Sequence, residues 1–264
     1  MCALSNHNAM QECSTYGLTA GGDAERLFPM LMRRLFMLLA IAFLVFSASF
    51  VWALTFDFSD KKQLERWEIV WEQNQATWEI KDGVLEVESP GTRWDFLVLK
   101  DVEFTDGVIE FKLKWLSGTY CEFGVAYRLQ LDDDKLPHYN VHLSTVEPAL
   151  RWGRVDASED GGQWATVARP PVKGWGKTPV DKWFSVKIEV KDDNHKVYAE
   201  GELVHEEKGD NTYKKGAVAL MGYSGMAEKA IFDDFSVEGP GIPPSAVQPT
   251  GKLPLTWGVI KSTF

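Results

Sequence analysis

The residues best suited to bind a ligand lie at alternate positions of two neighbouring strands predicted from the sequence. In the first strand, every second residue from Cys121 to Leu129 is expected to face a core. The intervening side chains must then face outward, since successive residues of a strand point to opposite sides of a sheet. This places Tyr120, Glu122 and Arg128 on the outer face, with only small residues between them.

The next predicted strand repeats this arrangement. If Tyr139 and its apolar neighbours point inward, His138, Asn140 and His142 emerge beside the first set. A carboxylate, a guanidinium, an amide and two imidazoles supply the donors and acceptors that sugar hydroxyls require. We therefore predict a ligand-binding face for a saccharide, with a solvated face of charges paired across strands as the alternative.

Aromatic side chains near these strands could stack on a pyranose ring. Tyr120 lies on the predicted face itself, and Trp94 opens a nearby strand. Trp175 stands between two glycines in a loop that follows two prolines, a poor position for a core residue. We predict that these three contact the sugar; Trp175 folding back over the sandwich is the alternative.

Sequence patterns of other chemistries are missing. The chain has no G-x-S-x-G, no H-E-x-x-H, no phosphate-binding loop and no zinc-type cysteine pair. His138 and His142 could bind a metal only with a carboxylate from another strand, so we expect hydrogen-bonded histidines. No catalytic residues are predicted, and whether the chain is an enzyme stays open.

The elements that would position these residues are strands. Ile109, Phe111, Leu113 and Trp115 alternate with polar residues, and Phe184 to Val190 repeat the pattern. A period of two predicts sheets with one buried face. Glycine- and aspartate-rich turns between the short runs are typical of antiparallel connections. The sequence therefore predicts an all-β sandwich of two antiparallel sheets.

Composition restricts the partners. The chain has 264 residues, 38 acidic against 28 basic side chains, and a net charge of −10. A nucleic-acid-binding protein needs a basic stripe, and the predicted strands carry none. We therefore expect no nucleic-acid partner.

The N-terminal region is typical of a secretory signal. Arg33 and Arg34 precede a long apolar run, and Val51 and Ala53 provide a small-residue cleavage site. We interpret residues 30–53 as a signal peptide, residues 1–29 as upstream of a start at Met30 or Met32, and Leu54 as the mature N-terminus. A retained membrane anchor is the alternative, since the apolar run approaches spanning length. Cleavage would leave a secreted, periplasmic or extracellular protein without a membrane contact.

The mature chain divides into two parts. Residues 54–239 form the predicted sandwich; their single cysteine, Cys121, excludes an intrachain disulfide there. Residues 240–264 are proline-rich and lack strand alternation, so we interpret them as a tail. That tail is a candidate contact for a protein partner.

The order of these strands resembles the concanavalin A-like lectin/glucanase superfamily, a LamG-like jelly roll. The resemblance covers roughly residues 54–239. It rests on an ordered set of segments: FDFSD, WEIKDGVLEVES, GVAYRL, YNVHL, LRWGRV, VYAEGELV, GAVALMGY and IFDDFSVEG. The laminarinase-type members carry E-x-D-x-E, which this chain lacks.

The resemblance also implies a structural calcium ion. In many relatives a carboxylate near the N-terminus and one on the closing strand share Ca²⁺, and Asp57 and Asp233 occupy those places. The alternative is that each aspartate merely protects an edge strand from pairing with another chain.

The chain also resembles a branch linked to 3-keto-disaccharide hydrolysis, through WEIKDGVL, the strand ending in Arg128, and FDD. We expect a secreted, non-catalytic carbohydrate-binding or adhesion module whose partner is an oligo- or polysaccharide. A secreted glycoside hydrolase and a structural envelope protein are the alternatives.

Overall fold

A computed structural model provides the structure of this chain. It describes residues 53–70, 76–91, 94–117, 121–144, 150–158, 162–173, 181–224 and 227–243. The predicted signal segment (except Ala53), Tyr120, Trp175 and most of the proline-rich tail lie outside these residues, as does the Cys121 side chain. No helix in these ranges has the length and apolar character needed to cross a membrane.

The described chain is built almost entirely from strands, with one short 3₁₀ helix at Lys61–Arg66. The strands are β1 (Ala53–Phe56), β2 (Trp67–Val70), β3 (Thr77–Lys81), β4 (Val84–Ser89), β5 (Asp95–Leu99), β6 (Gly107–Ser117), β7 (Cys121–Leu129), β8 (His138–Ser144), β9 (Leu150–Ala157), β10 (Gln163–Ala168), β11 (Phe184–Lys191), β12 (Asn194–Ala199), β13 (Glu202–Lys208), β14 (Ala217–Ser224) and β15 (Glu228–Glu238).

These strands form two antiparallel sheets, which confirms the predicted jelly-roll sandwich. The eight-stranded sheet has the order β13-β12-β11-β6-β15-β4-β3, with β1 paired to β15. The seven-stranded sheet has the order β10-β9-β8-β7-β14-β5-β2. Neighbours in the sheets are often far apart in sequence, as in β14 between β5 and β7.

The core lies between the two sheets and follows the alternation in the sequence. Ile109 and Trp115 of β6 and Tyr139 and Val141 of β8 are fully buried there. Because most of the inward side chains are apolar and removed from water, the hydrophobic effect holds the two sheets together.

The seven-stranded sheet is also covered on its second face. Every residue of β8 is buried, including the polar residues that alternate with the core positions. A second apolar cluster, with Phe96, Ala126, Val155 and Met221 among its members, lies on that face. We call this surface the outer face of the seven-stranded sheet.

The strict alternation predicted for β7 fails at its end. Arg128 has a positive φ of 49°, and the register with β14 shifts between Ala126 and Leu129. This bulge reverses the last side chains. Leu129 joins the cluster on the outer face instead of the core, and Arg128 does not reach that face.

Candidate functional site

The candidate site lies on the outer face, where β7, β8 and β9 run side by side. Glu122 is paired with Ser144, while His142 is paired with Gly124 on one side and with Arg151 on the other. Antiparallel partners on one face lie close together, so the three charged side chains meet. We call Glu122, His142 and Arg151 the charged cluster.

Hydrogen bonds along β8 connect this cluster to the strand's beginning. His138 Nδ1 lies 2.8 Å from the carbonyl oxygen of Leu136, which can only accept, so Nδ1 carries a proton. The Nε2 atom of His138 lies 3.2 Å from Asn140 Nδ2, and Asn140 Oδ1 lies 3.0 Å from His142 Nδ1.

Only one proton arrangement satisfies this chain of contacts with a neutral His138. Burial lowers the pKa of His138 from 6.5 to about 4, against a smaller opposing effect of the Leu136 carbonyl, so the ring is neutral at pH 7. Its Nε2 therefore accepts from the Asn140 amide. Asn140 Oδ1 must then accept from Nδ1 of His142, which leaves Nε2 of His142 directed toward Glu122.

His142 Nε2 and Glu122 Oε2 lie 3.3 Å apart, and both side chains are buried. The pair is within ion-pair distance but is not aligned as a hydrogen bond. Burial raises the pKa of Glu122, but His142, Arg151 and Ser144 together outweigh burial and hold it below its usual value.

Glu122 also bonds to the guanidinium of Arg151 through Oε1, and the Ser144 hydroxyl donates to the same oxygen at 3.3 Å. A buried carboxylate requires such partners, because an unpaired buried charge is costly. The pair couples β7 to β9 across β8.

An aromatic group stands next to the charged cluster. The rings of Trp94 and Tyr223 are 4.7 Å apart, those of Trp94 and Trp164 are 5.7 Å apart, and those of His142 and Trp164 are 5.6 Å apart. Trp94 is buried, while Trp164 and Tyr223 are half-buried. We call Trp94, Trp164 and Tyr223 the aromatic wall.

Two glycines make room for this wall. A Cβ atom at Gly153 would lie 2.6 Å from the Trp164 ring, and one at Gly162 would lie 2.9 Å from the Trp94 ring. Gly162 also has a φ of 86°, which favours glycine. The tryptophans therefore contact backbone where any larger residue would displace them.

Replacing Gly153 by alanine is expected to move the Trp164 ring, because the new methyl group would overlap it. We expect an altered intrinsic tryptophan fluorescence spectrum in the folded protein. Val167→Ala, at an exposed position of the same strand as Trp164, is the control and should leave the spectrum unchanged. A Gly153→Ala spectrum identical to that of the parent would contradict this packing.

Polar atoms around the site have unused hydrogen-bonding capacity. Within the described residues, four atoms of the site are buried without a hydrogen-bond partner: Nε1 of Trp94, Nε of Arg151, Nε2 of His142 and Oε2 of Glu122. Buried donors normally have partners, so each unsatisfied one indicates either a cost to the fold or a missing ligand. The Trp94 and Arg151 atoms can only donate, whereas Oε2 of an ionised Glu122 can only accept.

The structure brings five of the predicted ligand residues together, namely Glu122, His138, Asn140, His142 and Trp94. The structure buries these five residues, whereas the sequence predicted that they line a trough on the surface. Tyr120 and Trp175 lie outside the described residues.

Arg128 is a correction to the predicted site. Its guanidinium reaches the carbonyl oxygens of Thr105, Asp192 and Tyr213 and the side chains of Asp106 and Asn211. The bulge at Arg128 directs the side chain to the loops at one end of the sandwich, so it is a structural anchor there.

The carboxylates that could support hydrolysis are also separated. Glu110 lies on β6 of the eight-stranded sheet, whereas Glu122 lies on β7 of the other sheet. Asp95 is paired with Gly222, where an added Cβ atom would meet both the ring of Phe123 in the core and the Asp95 carboxylate. Asp95 therefore faces the core side of the sheet.

The two residues predicted to hold calcium each accept hydrogen bonds from their own neighbours in the chain. Oδ1 of Asp57 accepts from Ser59 and from Gln63 Nε2 at 2.7 Å, and Oδ1 of Asp233 accepts from the Asp234 amide. The described residues contain no group of three or more His, Cys, Asp or Glu arranged for a metal. Calcium binding stays a prediction, which thermal melting with calcium and with chelator tests; identical midpoints would remove it.

Sequence reasoning missed Arg151, Trp164 and Tyr223. Arg151 was detectable, because it alternates with the core residues Leu150 and Trp152 on the strand after β8. Trp164 follows a glycine that opens a strand, but only the register with β9 places it near His142. Tyr223 required the pairing of β14 with β7, which is remote in sequence.

Comparison with known proteins gives a family match. The sequence profile described as "3-keto-alpha-glucoside-1,2-lyase-like domain" matches residues 52–238. No curated protein sequence matches the chain.

Solved structures share the fold at low sequence identity. The carbohydrate-binding module CBM66 from Bacillus subtilis is 16% identical, with a TM-score of 0.51 over 65% of this chain and 95% of that chain. A GlcNAcα1-4Gal-releasing endo-β-galactosidase from Clostridium perfringens is 13% identical, with a TM-score of 0.56 over 74% and 64%. The catalytic domain of a laminarinase from Thermotoga petrophila is 12% identical, with a TM-score of 0.51 over 70% and 96%. Both binding modules and glycosidases are therefore structural neighbours.

Proposed function

Because the chain belongs to the 3-keto-α-glucoside-1,2-lyase-like domain family, we propose that it recognises a carbohydrate with the outer face of its seven-stranded sheet. The proposed contacts are Arg151 and the aromatic wall. One observation carries the proposal: two buried donors, on Trp94 and Arg151, lack partners beside half-buried aromatic rings.

The chemistry of this face suits a sugar. A pyranose ring presents an apolar C–H surface that packs on an aromatic side chain, and its oxygens accept hydrogen bonds from fixed donors. Trp164 is half-buried above Gly153 and supplies the stacking surface. Trp94 Nε1 and Arg151 Nε are hydrogen-bond donors without partners. An oxygen of a bound sugar would accept from them and so offset the free-energy cost of their burial.

Binding without bond cleavage is the function that we favour. Two-carboxylate hydrolysis requires two acidic groups on either side of the scissile bond, about 5–10 Å apart. Glu110, Glu122 and Asp95 lie on different sheets or different faces. The arrangement therefore supports a carbohydrate-binding module more than a hydrolase of that type.

A second candidate function is cleavage of a 3-keto-α-glucoside by elimination. In a 1,2-elimination a base removes the proton from C2, which the neighbouring ketone acidifies. The C1–O bond then breaks, a C1=C2 double bond forms, and the departing oxygen takes up a proton and leaves as an alcohol. His142 and Glu122 are side chains of the types that act as general acids and bases, and they lie 3.3 Å apart. The fully buried position of His142 argues against this function, since a substrate proton must come within hydrogen-bonding reach.

We also propose that this recognition takes place outside the cytoplasm, after removal of residues 30–53. The sandwich as an adhesion module or a structural envelope protein is compatible with that location. The proline-rich tail at residues 240–264 would then be free to contact a protein partner.

A glycan array with a parallel product assay tests the proposal. We expect the purified protein to retain a subset of saccharides without releasing reducing or unsaturated sugar. Trp164→Ala should weaken that binding by roughly tenfold, the order expected for loss of one aromatic contact. Trp183→Ala, at a half-buried tryptophan near Lys114 of the other sheet, is the matched control.

Retention of no saccharide would contradict the proposal. Formation of an unsaturated product from a 3-keto-α-glucoside would replace it by the second candidate. Binding that Trp164→Ala and Trp183→Ala reduce equally would place the sugar away from the outer face.

A further inference from the structure

His142 lies behind the two groups that the proposed site offers to a sugar. Its ring is 5.6 Å from the ring of Trp164, the stacking surface. Its Nε2 atom is 3.3 Å from Oε2 of Glu122, and the other carboxylate oxygen of Glu122 accepts from the guanidinium of Arg151. A turn of the His142 ring would therefore disturb the surroundings of both Trp164 and Arg151.

One hydrogen bond sets the orientation of the His142 ring. The ring is fully buried, and its Nδ1 atom lies 3.0 Å from Oδ1 of Asn140. An amide oxygen can only accept, so Nδ1 carries a proton whatever the charge of the ring. Turning the ring by half a rotation about its Cβ–Cγ bond would place carbon atoms against Asn140 and Glu122. The bond to Asn140 therefore fixes both the rotation of the ring and the position of that proton.

Asn140 is oriented in turn from the start of β8. Its amide group has one donating end and one accepting end. The neutral ring of His138 accepts at Nε2, 3.2 Å from Nδ2 of Asn140, so the amide oxygen must point to His142. His138 itself donates from Nδ1 to the carbonyl oxygen of Leu136 at 2.8 Å. The direction of each hydrogen bond along β8 thus follows from this carbonyl.

The loop before β8 holds the carbonyl of Leu136 in place. The hydroxyl of Ser158 donates to it at 3.1 Å, and the amides of Leu136 and Ser158 donate to the carbonyls of Asp133 and Lys135. Leu136 has a φ of 47°, which residues other than glycine rarely adopt, so the surrounding contacts must maintain it. The chain of hydrogen bonds therefore begins at a fixed point of the backbone.

We infer that Asn140 is a positioning residue of the sugar site, which orients His142 and thereby the Trp164 ring and the Arg151 guanidinium without contacting the ligand. The inference rests on the proposed function and adds a residue to its site. Asn140 is fully buried, and a buried amide is costly unless both of its ends are satisfied. Leucine would fill a similar volume without that cost, which indicates that the polarity of Asn140 has a use.

The histidine ¹⁵N signals of the labelled, ligand-free protein test the first part of this inference. Two-bond ¹H–¹⁵N spectra distinguish a protonated ring nitrogen from a bare one. At pH 7 we expect a protonated Nδ1 in both His138 and His142 and a bare Nε2 in His138. In Asn140→Leu the Nδ1 signal of His142 should move toward the average of the two tautomers. The indole N–H signal of Trp164 should shift in that variant, while that of the core residue Trp78 should not.

Titration calorimetry tests the second part. The probes are the methyl α-glycosides of glucose, galactose and mannose, together with maltose and lactose. For each probe that the parent binds, Asn140→Leu should weaken binding roughly tenfold, the order expected for loss of one hydrogen bond. Asn140→Asp should keep most of the affinity, because its carboxylate still accepts from Nδ1 of His142 while His138 takes up a second proton.

His195→Gln is the matched control for lost stability. His195 is also fully buried, but it bonds to Tyr127 and to the backbone of Asp210 instead of the chain along β8. This variant should melt at a lower temperature without a change in the His142 signals or in the affinity for the probes.

A bare Nδ1 in His142 of the parent protein would overturn the inference. So would a folded Asn140→Leu that binds the probes as tightly as the parent in a Trp164-dependent way, and this outcome would leave the proposed function standing. If Asn140→Leu does not fold, weak binding by a folded Asn140→Asp whose His142 keeps the Nδ1 proton would also overturn the inference. A parent protein that binds no probe and retains no saccharide on the glycan array would overturn the proposed function together with the positioning role.

Discussion

Replacing Arg128 by alanine is expected to lower the free energy of unfolding by about 3–5 kcal/mol, enough to remove much of the stability of a typical domain. The side chain is 1% exposed, and its guanidinium donates to five acceptors. Three of those acceptors are backbone carbonyls of Thr105, Asp192 and Tyr213. Without the guanidinium they would lack partners, at about 1–3 kcal/mol for each that stays dry.

Urea unfolding of Arg128→Ala measures this effect. Lys215→Ala is a suitable control, because Lys215 and Glu103 form an exposed pair whose loss should cost less than about 1 kcal/mol. An Arg128→Ala protein as stable as the parent would show that Arg128 is a surface ligand residue, as the sequence analysis predicted.

Acidification from pH 6.5 to about 4 is expected to cost about 3 kcal/mol of stability for each of His138 and His195. Burial lowers the pKa of both residues from 6.5 to about 4, against smaller opposing effects of backbone hydrogen bonds. Between pH 6.5 and about 4 these histidines bind protons in the unfolded chain but not in the folded chain. Their contribution to the free energy of unfolding is therefore fully present above pH 6.5 and is lost as the pH falls toward 4.

The hydrogen bonds of His195 show why its ring stays neutral in the folded protein. Its Nε2 lies 2.8 Å from the carbonyl oxygen of Asp210 and donates to it, while Nδ1 accepts from the hydroxyl of Tyr127 at 3.0 Å. That hydroxyl in turn accepts from Trp152 Nε1 at 2.8 Å. A proton on Nδ1 of His195 would point at the Tyr127 hydroxyl, which already donates its own proton toward Nδ1.

Urea unfolding at several pH values checks this prediction. His195→Gln should reduce the pH slope between pH 6.5 and 4.5 by removing one titrating group, whatever its effect on absolute stability. The carboxyl groups of Glu86, Glu122 and Asp210 have lowered pKa values. Their contribution to the free energy of unfolding is therefore lost at a more acidic pH than that of the histidines. Stability that is constant from pH 6.5 to 4.5 would contradict burial of the two neutral histidines.

The fold class was predictable because the alternation of apolar and polar residues that indicates a strand lies within a short stretch of sequence. The alternation of Ile109, Phe111, Leu113 and Trp115 indicates one buried sheet face, and the core contains all four residues. The order of strands within each sheet was not predictable from such patterns. It depends on which buried surfaces match, as when β14 pairs with both β5 and β7.

The candidate site was only partly predictable for two physical reasons. A period of two identifies the residues that share a face, which placed Glu122, Asn140 and His142 together. It does not detect a bulge, so Arg128 was assigned to the wrong face. It also does not show that the aromatic side chains of one face pack against each other, as Trp164 and Tyr223 do with Trp94.

The central claim is that a sugar binds on the outer face, and the indole N–H signals of the tryptophans test it most directly. A ¹H–¹⁵N spectrum of the labelled protein reports each indole separately, and single-tryptophan variants assign the signals. On addition of a bound saccharide we predict shifts of the Trp94 and Trp164 signals and unchanged signals from the core residues Trp78 and Trp115. Unshifted Trp94 and Trp164 signals in the presence of a saturating sugar would contradict the account.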